Sequence, residues 1–389
     1  MIAQIINLSP KDVFKYYALK YGISEGSYSY GRFGLEIRQL FPDLAESLSN
    51  EISKKGWKVF SFKDADEKIS LLLIGSIRRF KAIAEGITKD SLRAYAIKLF
   101  NIINFFETYE LTSYNINNKH FEFNQAYIMG ILNVTPDSFS DGGKYFSISK
   151  AIEGALRMID RGADIIDIGG ESTRPGAEEI DEETEIKRVL PVIKEVIQLR
   201  PDAVLSIDTR KKAVADIALK EGAAIVNDIS GFSHDTEIIE SIANHNATVV
   251  IMHMKGTPKN MQNHPEYDNV VEEVYDFLFS QSRKAAKAGI NNIFIDPGIG
   301  FGKRPEDNYD LLRRLDDFKS LSYPILLGVS RKSFIGKALN LEVDERDIPT
   351  SMIESYSLSK GARVLRTHNV SYGIKLREVF NKINNAAIE

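Results

Sequence analysis

The sequence predicts an α/β protein, a (β/α)8 TIM barrel preceded by a small N-terminal α/β domain. Three observations predict it. From about Ala126 onward, short β-branched apolar runs alternate with amphipathic stretches; the alternation repeats eight times; and residues 1 to 124 do not share it. An open doubly wound sheet has the same alternation, but the count of eight favours closure.

The strands expected, in order, are "AYIMGILN", "ADIIDIGG", "AVLSID", "AAIVND", "ATVVIMHM", "NIFIDPG", "PILLGVS" and "ARVLRTH". Apolar spacing near 3.6 predicts helices at 147–161, 181–199, 211–221, 235–245, 266–288, 306–318, 346–360 and 371–384. Gly162, Gly222, Gly289 and Gly361 stand at helix ends, where glycine releases the chain toward the next strand. In the N-terminal part, "MIAQIINL", "KVFSF" and "EKISLLLIGS" are expected as strands, and 34–55 and 77–106 as helices. The Asn-rich "SYNINNKHFEFNQ" marks the boundary, giving domains 1–124 and 125–389, and is expected to form a hairpin closing the bottom of the barrel.

Composition narrows the function. Apolar residues make up 43% of the 389 and charged residues 27%, enough to bury a large core. The net charge of −4 is spread without a basic block, which argues against a nucleic-acid or anionic-membrane footprint. Cysteine is absent, so disulfides, zinc fingers, thiolate nucleophiles and iron–sulfur ligation are excluded. With neither a signal-peptide pattern nor an 18-residue apolar window, a soluble cytoplasmic protein is expected.

In such a barrel the active site lies at the carboxyl ends of the strands. The residues there are Asn133, Gly169 to Arg174, Asp208, Asn227, Met252 to Met254, Asp296, Gly328 to Lys332, and Arg366 with His368. Singly, Asp208 or Asn227 reads as a helix cap or turn residue; eight converging strand ends do not reduce to chance caps. Asp and Asn can pair with the adjacent N–H and amino groups of a heterocycle, while Lys and Arg supply donors to ring carbonyls or phosphate oxygens. A flat polar heterocycle carrying a phosphate ester fits. Paired Asp208 and Asp296 also fit the general acid–base pair of a glycoside hydrolase, which spacing alone leaves open.

The stretches "MGILNVTPDSFSDGG", "DIGGESTRPGA", "IDT", "VNDISG", "MHMKGTPKNMQ", "DPGIGFGK", "GVSRKSFIG" and "RTHNV", in that order, closely resemble the dihydropteroate synthases over residues 126 to about 385. The resemblance implies condensation of 6-hydroxymethyl-7,8-dihydropterin diphosphate with p-aminobenzoate, releasing pyrophosphate, in folate biosynthesis. It implies a pterin site of Asp208, Asn227, Met252, Asp296, Lys332 and Arg366, the last stacking on the ring. For the diphosphate it implies Asn133, Thr173, Arg174, Arg366 and His368, with Mg2+ on Asn133 and the phosphate oxygens. For p-aminobenzoate it implies Thr173, Arg174, Pro175, Phe301 and Ser333. Phe139 and Asp141 would close over the reacting centre as part of a mobile first loop, acting with Lys332, Arg366 and His368 in catalysis. It further implies a homodimer formed by barrel helices in the C-terminal third, and a target of sulfonamides.

Other assignments compete at single residues. His253 is expected to satisfy a backbone carbonyl, and Glu171 and Ser172 to support the second loop. "GIGFGK" and "GVSRKSFIG" lack the P-loop spacing, so nucleotide hydrolysis is not expected. Asn369 replaces the Asp usual after the last-strand His and is expected to loosen a cap or a supporting contact. The rival functions are a corrinoid methyltransferase using methyltetrahydrofolate, whose barrels share the pterin-binding Asp and Asn, and a non-catalytic pterin-binding protein. The "STRPG", "SRKS" and "RTH" segments argue against both.

Overall fold

The computed structural model describes residues 1–24, 32–135 and 144–384. The chain divides into two units, Met1–Glu110 with Arg314–Ser322, and Leu111–Arg313 with Tyr323–Glu389. The division falls at Glu110/Leu111, where 124/125 was expected, and it takes a stretch of barrel sequence into the first unit.

The first unit contains β1 (Ile2–Asn7), α1 (Lys11–Lys20), β2 (Phe33–Leu40), α2 (Pro42–Ser53), β3 (Phe60–Lys63), β4 (Ile69–Gly75), α3 (Ile77–Gly86) and α4 (Arg93–Thr108). Its strands form an antiparallel sheet in the order β1-β2-β4-β3. Ala3, Ile5, Leu35, Ile37, Leu71 and Leu73 pack one face of it against Leu48, Ile52, Phe80, Leu99 and Ile103 of the helices. The helix expected over 34–55 is therefore a strand to Leu40 followed by a helix from Pro42. Both faces of β2 are buried, so its polar residues do not mark a solvent face: buried Glu36 accepts from Lys20 Nζ (2.9 Å), Tyr21 OH (2.7 Å) and Arg38 (3.1 Å). The helix expected over 77–106 breaks after Gly86 into α3 and α4.

Arg314–Ser322 meets the free edge of β1. The amide of Ile5 donates to Ser320 Oγ (3.0 Å) and that of Asn7 to Asp317 Oδ1 (3.1 Å), while Asp317 Oδ2 accepts from Arg314 Nε (3.0 Å). An edge strand otherwise presents a row of unpaired backbone groups. Both Arg314 and Asp317 are buried. Asp317→Ala leaves a buried guanidinium without its carboxylate and is expected to lower unfolding free energy by about 3 kcal/mol, read by denaturant melts.

The second unit opens with a hairpin, β5 (Tyr114–Ile116) and β6 (Lys119–Phe121), as expected. Tyr114, Ile116, Phe121 and Phe123 bury against Met129, Ile165, Val204, Ile225, Val250, Phe294, Leu326 and Val364, the amino-terminal interior of the barrel. Tyr114 OH donates to the Ile293 carbonyl (2.9 Å). The hairpin plugs the end opposite the mouth.

Eight parallel strands close into the barrel: β7 (Tyr127–Asn133), β8 (Ile165–Gly169), β9 (Leu205–Asp208), β10 (Ile225–Asp228), β11 (Thr248–Met252), β12 (Ile293–Asp296), β13 (Ile325–Leu327) and β14 (Ala362–Thr367). The helices are α5 (Lys144–Asp160), α6 (Glu182–Leu199), α7 (Lys212–Lys220), α8 (Ile238–Asn244), α9 (Val270–Lys287), α10 (Pro305–Arg313), α11 (Ser333–Leu339), α12 (Asp347–Ser359) and α13 (Val370–Asn384). Closure removes the open-sheet alternative. The two-turn α11, directly after "SRK", was not expected; the helix expected over 306–318 stops at Arg313, where the chain leaves for the first unit. Among the described residues no helix is long and apolar enough to cross a membrane.

Candidate active site

Register aligns the mouth. Asn133, Gly169, Asp208 and Asn227 pair in one row across β7, β8, β9 and β10, and Met252 pairs with Asp296 across β11 and β12. All are last or near-last residues of their strands, so side chains of one parity point to one place. Glycines keep that place open. A Cβ on Gly169 would lie 3.5 Å from Asp208 and 3.7 Å from Asn133 Oδ1, and one on Gly328 would lie 3.8 Å from Arg366 and 3.9 Å from Asp296.

The centre is an ionic clamp. Arg366 Nε donates to Asp167 Oδ2 and its NH2 group to Asp208 Oδ2, both at 2.6 Å, and Asn227 Nδ2 donates to the same Asp167 oxygen (3.0 Å). Burial pushes the Asp208 carboxyl upward while Arg366 pulls it down. Burial also disfavours the Arg366 charge, but Asp167 and Asp208 outweigh it and raise the guanidinium above its ordinary value. The clamp fixes the plane of the guanidinium and leaves Asp167 Oδ1 buried and without a partner. Asp167 is fully buried and was missed in the sequence. The available signal was an Asp inside the apolar strand "DIIDIGG": an inward charge there needs a counter-charge.

Lys332 donates to the Ile299 carbonyl and lies 4.5 Å from the centre of the Phe301 ring. Its stem passes over Gly300, where a Cβ would come within 3.0 Å. Burial pulls its ammonium down to about 8 against the attraction of Asp296. Asp296, pushed up by burial and held down by Lys332, accepts from the Gly298 amide (2.7 Å). Gly298 has φ +69°, and a Cβ there would lie 1.8 Å from the His253 carbonyl oxygen, so only glycine lets this loop turn.

The His253 ring is engaged by Lys303, and the His253 amide donates to the Asp296 carbonyl (3.1 Å). Its Nδ1 accepts from buried Lys303 (3.0 Å), which also donates to the carbonyls of His253 (3.3 Å) and Phe301 (3.0 Å). Burial, then Lys303, keep His253 well below its ordinary pKa. The pair ties the loop after β11 to the loop after β12.

The second loop is held by its base. Glu171 accepts from the Ile180 amide (3.0 Å) and from Arg210 (3.4 Å), Lys211 binds the Ile180 carbonyl (2.7 Å) and Glu185 (2.7 Å), and Gly176 N donates to the Pro258 carbonyl (3.0 Å). Glu171 thus supports the loop. Thr173 is half-buried at its crest, with Arg174 and Pro175 exposed. Ser333, exposed, begins α11.

Directly after β14, His368 Nδ1 lies 2.9 Å from Ser330 Oγ, and burial with Arg366 and Arg331 lowers the ring to about 4. Asn369 does not loosen its surroundings. Its Oδ1 accepts from the Tyr372 amide (3.2 Å), capping α13, and its Nδ2 donates to Asp347 (2.9 Å), which an Asp could not do. Phe139 and Asp141 lie outside the described residues. Among the described residues there is no group of three or more His, Cys, Asp or Glu arranged to hold a metal.

This geometry accompanies clear similarities. The family model described as "Pterin binding enzyme" matches residues 129–368. The chain is 42% identical over 272 residues to a dihydropteroate synthase of Haemophilus influenzae, covering 69% of this chain and 98% of that protein. It is 46% identical over 259 residues to that of Clostridium beijerinckii, covering 66% and 93%. Among solved structures, the Yersinia pestis dihydropteroate synthase with a sulfonamide drug aligns with TM-score 0.67 at 38% identity, over 71% of this chain and all of that one. The Xanthomonas albilineans enzyme in complex with 7,8-dihydropteroate aligns with TM-score 0.64 at 33% identity, over the same shares.

Proposed function

The chain belongs to the pterin-binding enzymes and, among them, to the dihydropteroate synthases, and from that premise we propose how its barrel mouth carries out the reaction. It condenses 6-hydroxymethyl-7,8-dihydropterin diphosphate with p-aminobenzoate to give 7,8-dihydropteroate and pyrophosphate. The observation that carries the residue assignment is the convergence of Asp208, Asn227, Asp296, Lys332 and Arg366 on a floor kept open by Gly169 and Gly328.

Asp208, Asn227 and Asp296 bind the N–H and amino edge of the pterin, Lys332 its ring carbonyl, and Met252 its flank. Arg366, held flat by its two carboxylates, stacks on the ring. The bond between the exocyclic methylene carbon and the diphosphate oxygen breaks with its electron pair leaving on oxygen. The neutral amine of p-aminobenzoate forms the new bond to that carbon and loses a proton. Arg366 and His368, with Thr173 and Arg174 from the second loop, oppose the charge growing on the leaving diphosphate. Thr173, Arg174, Pro175, Phe301 and Ser333 receive the p-aminobenzoate, the subsite that sulfonamides would contest.

Mg2+ fits this donor set. Asn133 offers one amide oxygen beside an open floor, and Mg2+ takes few protein ligands, keeping its waters and the phosphate oxygens of a substrate. Bound there, it would neutralise diphosphate charge. A cytoplasmic homodimer is part of the same proposal. Ile348, Met352 and Tyr356 recur every four residues on α12, and Tyr372, Val379 and Ile383 lie on α13; all six are exposed. An apolar face of this kind is what a symmetric interface buries.

The test is pyrophosphate release by the full chain. Release should require the dihydropterin diphosphate, p-aminobenzoate and Mg2+ together. Binding of the pterin without release under any of these conditions would sink the catalytic assignment.

A further inference from the structure

The hydroxyl of Ser330 is where three groups of the mouth meet. Its Oγ lies 3.1 Å from the backbone nitrogen of His368, 2.9 Å from His368 Nδ1 and 3.5 Å from Thr367 Oγ1. Both Ser330 and Thr367 are buried, and Ser330 has no assigned part in the "SRKS" motif, whose Lys332 and Ser333 face the two substrates.

Counting protons settles the direction of these bonds. A hydroxyl has one proton and two lone pairs. The His368 amide can only donate, so it takes one lone pair. Thr367 Oγ1 donates into the other from 3.5 Å, and Glu354 of α12 beside it leaves that proton available: burial pushes Glu354 up to about 8 against a hydrogen bond with Thr367, so at neutral pH the carboxyl is mainly protonated and its own O–H can serve Thr367. A neutral carboxyl is a poor acceptor compared with a carboxylate. The Ser330 proton is then left for Nδ1.

We infer that Ser330 is a positioning residue that fixes His368 as the tautomer protonated at Nε2, so that a neutral imidazole presents an N–H donor to the departing diphosphate. This rests on the synthase assignment for its purpose and on the hydrogen-bond directions for its chemistry. The charged groups facing the ring are Arg366 of β14, Arg331 of the loop after β13, Arg174 of the loop after β8 and Asp347 at the start of α12. Three cations against one anion disfavour an imidazolium, so diphosphate charge is met by a fixed dipole rather than by proton transfer. Asp347 in turn binds Arg331 through two bonds (2.6 and 2.9 Å) and Thr350 Oγ1 accepts from the Arg331 amide (3.1 Å), so α12 holds the backbone that carries Ser330.

The test reads the tautomer directly. Full-length protein labelled with 15N-histidine gives six histidines, with His368 identified by the signal lost in His368→Asn. Two-bond 1H–15N spectra at neutral pH should show His368 protonated at Nε2 and bare at Nδ1. Adding inorganic pyrophosphate with Mg2+ should shift the Nε2 signal. Ser330→Ala should give mixed tautomers and lower kcat about tenfold with KM for p-aminobenzoate unchanged, the loss of roughly one hydrogen bond. Ser330→Thr, which keeps the hydroxyl, should restore both. A wild-type ring protonated at Nδ1, an imidazolium, or a Ser330→Ala spectrum identical to wild type would overturn the inference. Reading the wild-type tautomer requires a folded His368→Asn protein for assignment, which the five other histidine signals unchanged in that variant would establish, but no turnover, so an Nε2–H ring in a protein that releases no pyrophosphate would point to the synthase assignment as the part that failed.

Discussion

Asp167→Asn should cost the enzyme roughly a hundredfold or more in kcat/KM, the price of about 3 kcal/mol of charge-assisted bonding at one buried point. The carboxylate accepts from Arg366 and Asn227 through a single oxygen, fully out of water. An amide of the same shape can place its oxygen there but brings no negative charge to the guanidinium, and it puts an NH2 group in the position of Oδ1, which is buried with no acceptor in reach. Arg366 then has only the Asp208 charge to hold it, and it should shift toward that carboxylate, occupying the oxygens assigned by the proposal to the pterin edge. If Arg366 serves both the ring and the leaving group, as proposed, the loss should fall on pterin affinity and on kcat together. Isothermal titration with the pterin and steady-state kinetics separate the two. Thermal melts control for stability: unchanged kcat/KM in a variant that melts as wild type would show that Asp208 alone positions Arg366.

The fate of Asp167 shows what the sequence carries and what it hides. Asn133, Asp208, Asn227 and Asp296 are legible because each ends an apolar run, and the count of runs places all run ends on one rim. Asp167 stands two residues below that rim, in a run that reads as plain strand. Its partner is 199 residues away on β14, a distance no local pattern spans. Ser330 falls within the legible strand end Gly328 to Lys332, but its partner His368 does not follow from any local pattern, the bond reaching 38 residues along the chain. In the N-terminal unit the failure is different. β2 carries Glu36 and Arg38 inside, so alternation between apolar and polar residues no longer tracks alternation between core and solvent. Arg314–Ser322 belongs to that unit through side-chain bonds to the β1 edge, and the barrel periodicity on either side of it gave no reason to look there.

Lys332 should give the mouth its alkaline limit. Its ammonium is lowered by burial to about 8, held from falling further by Asp296 and Asp208, and it must be protonated to donate to a ring carbonyl. kcat/KM for the pterin substrate should therefore fall as pH rises through about 8. Lys332→Arg keeps the charge at every accessible pH but not the compact geometry, so its activity should be reduced throughout and its alkaline fall lost. Lys303, lowered by burial to about 7, and the buried carboxyls remain in both proteins, so only the difference between the two profiles belongs to residue 332. Stability carries the opposite sign. In the unfolded chain the ammonium titrates near its ordinary value; in the fold it titrates near 8. Between those values the unfolded chain holds a proton that the folded chain has lost, so this group makes the protein more stable as pH rises above 8, while below 8 both states are protonated and its contribution is flat. Activity falling and stability rising over one pH window, with the alkaline fall lost and the rise in stability smaller in Lys332→Arg, would be the signature of one desolvated lysine. The same alkaline fall in Lys332→Arg would assign the limit to another group.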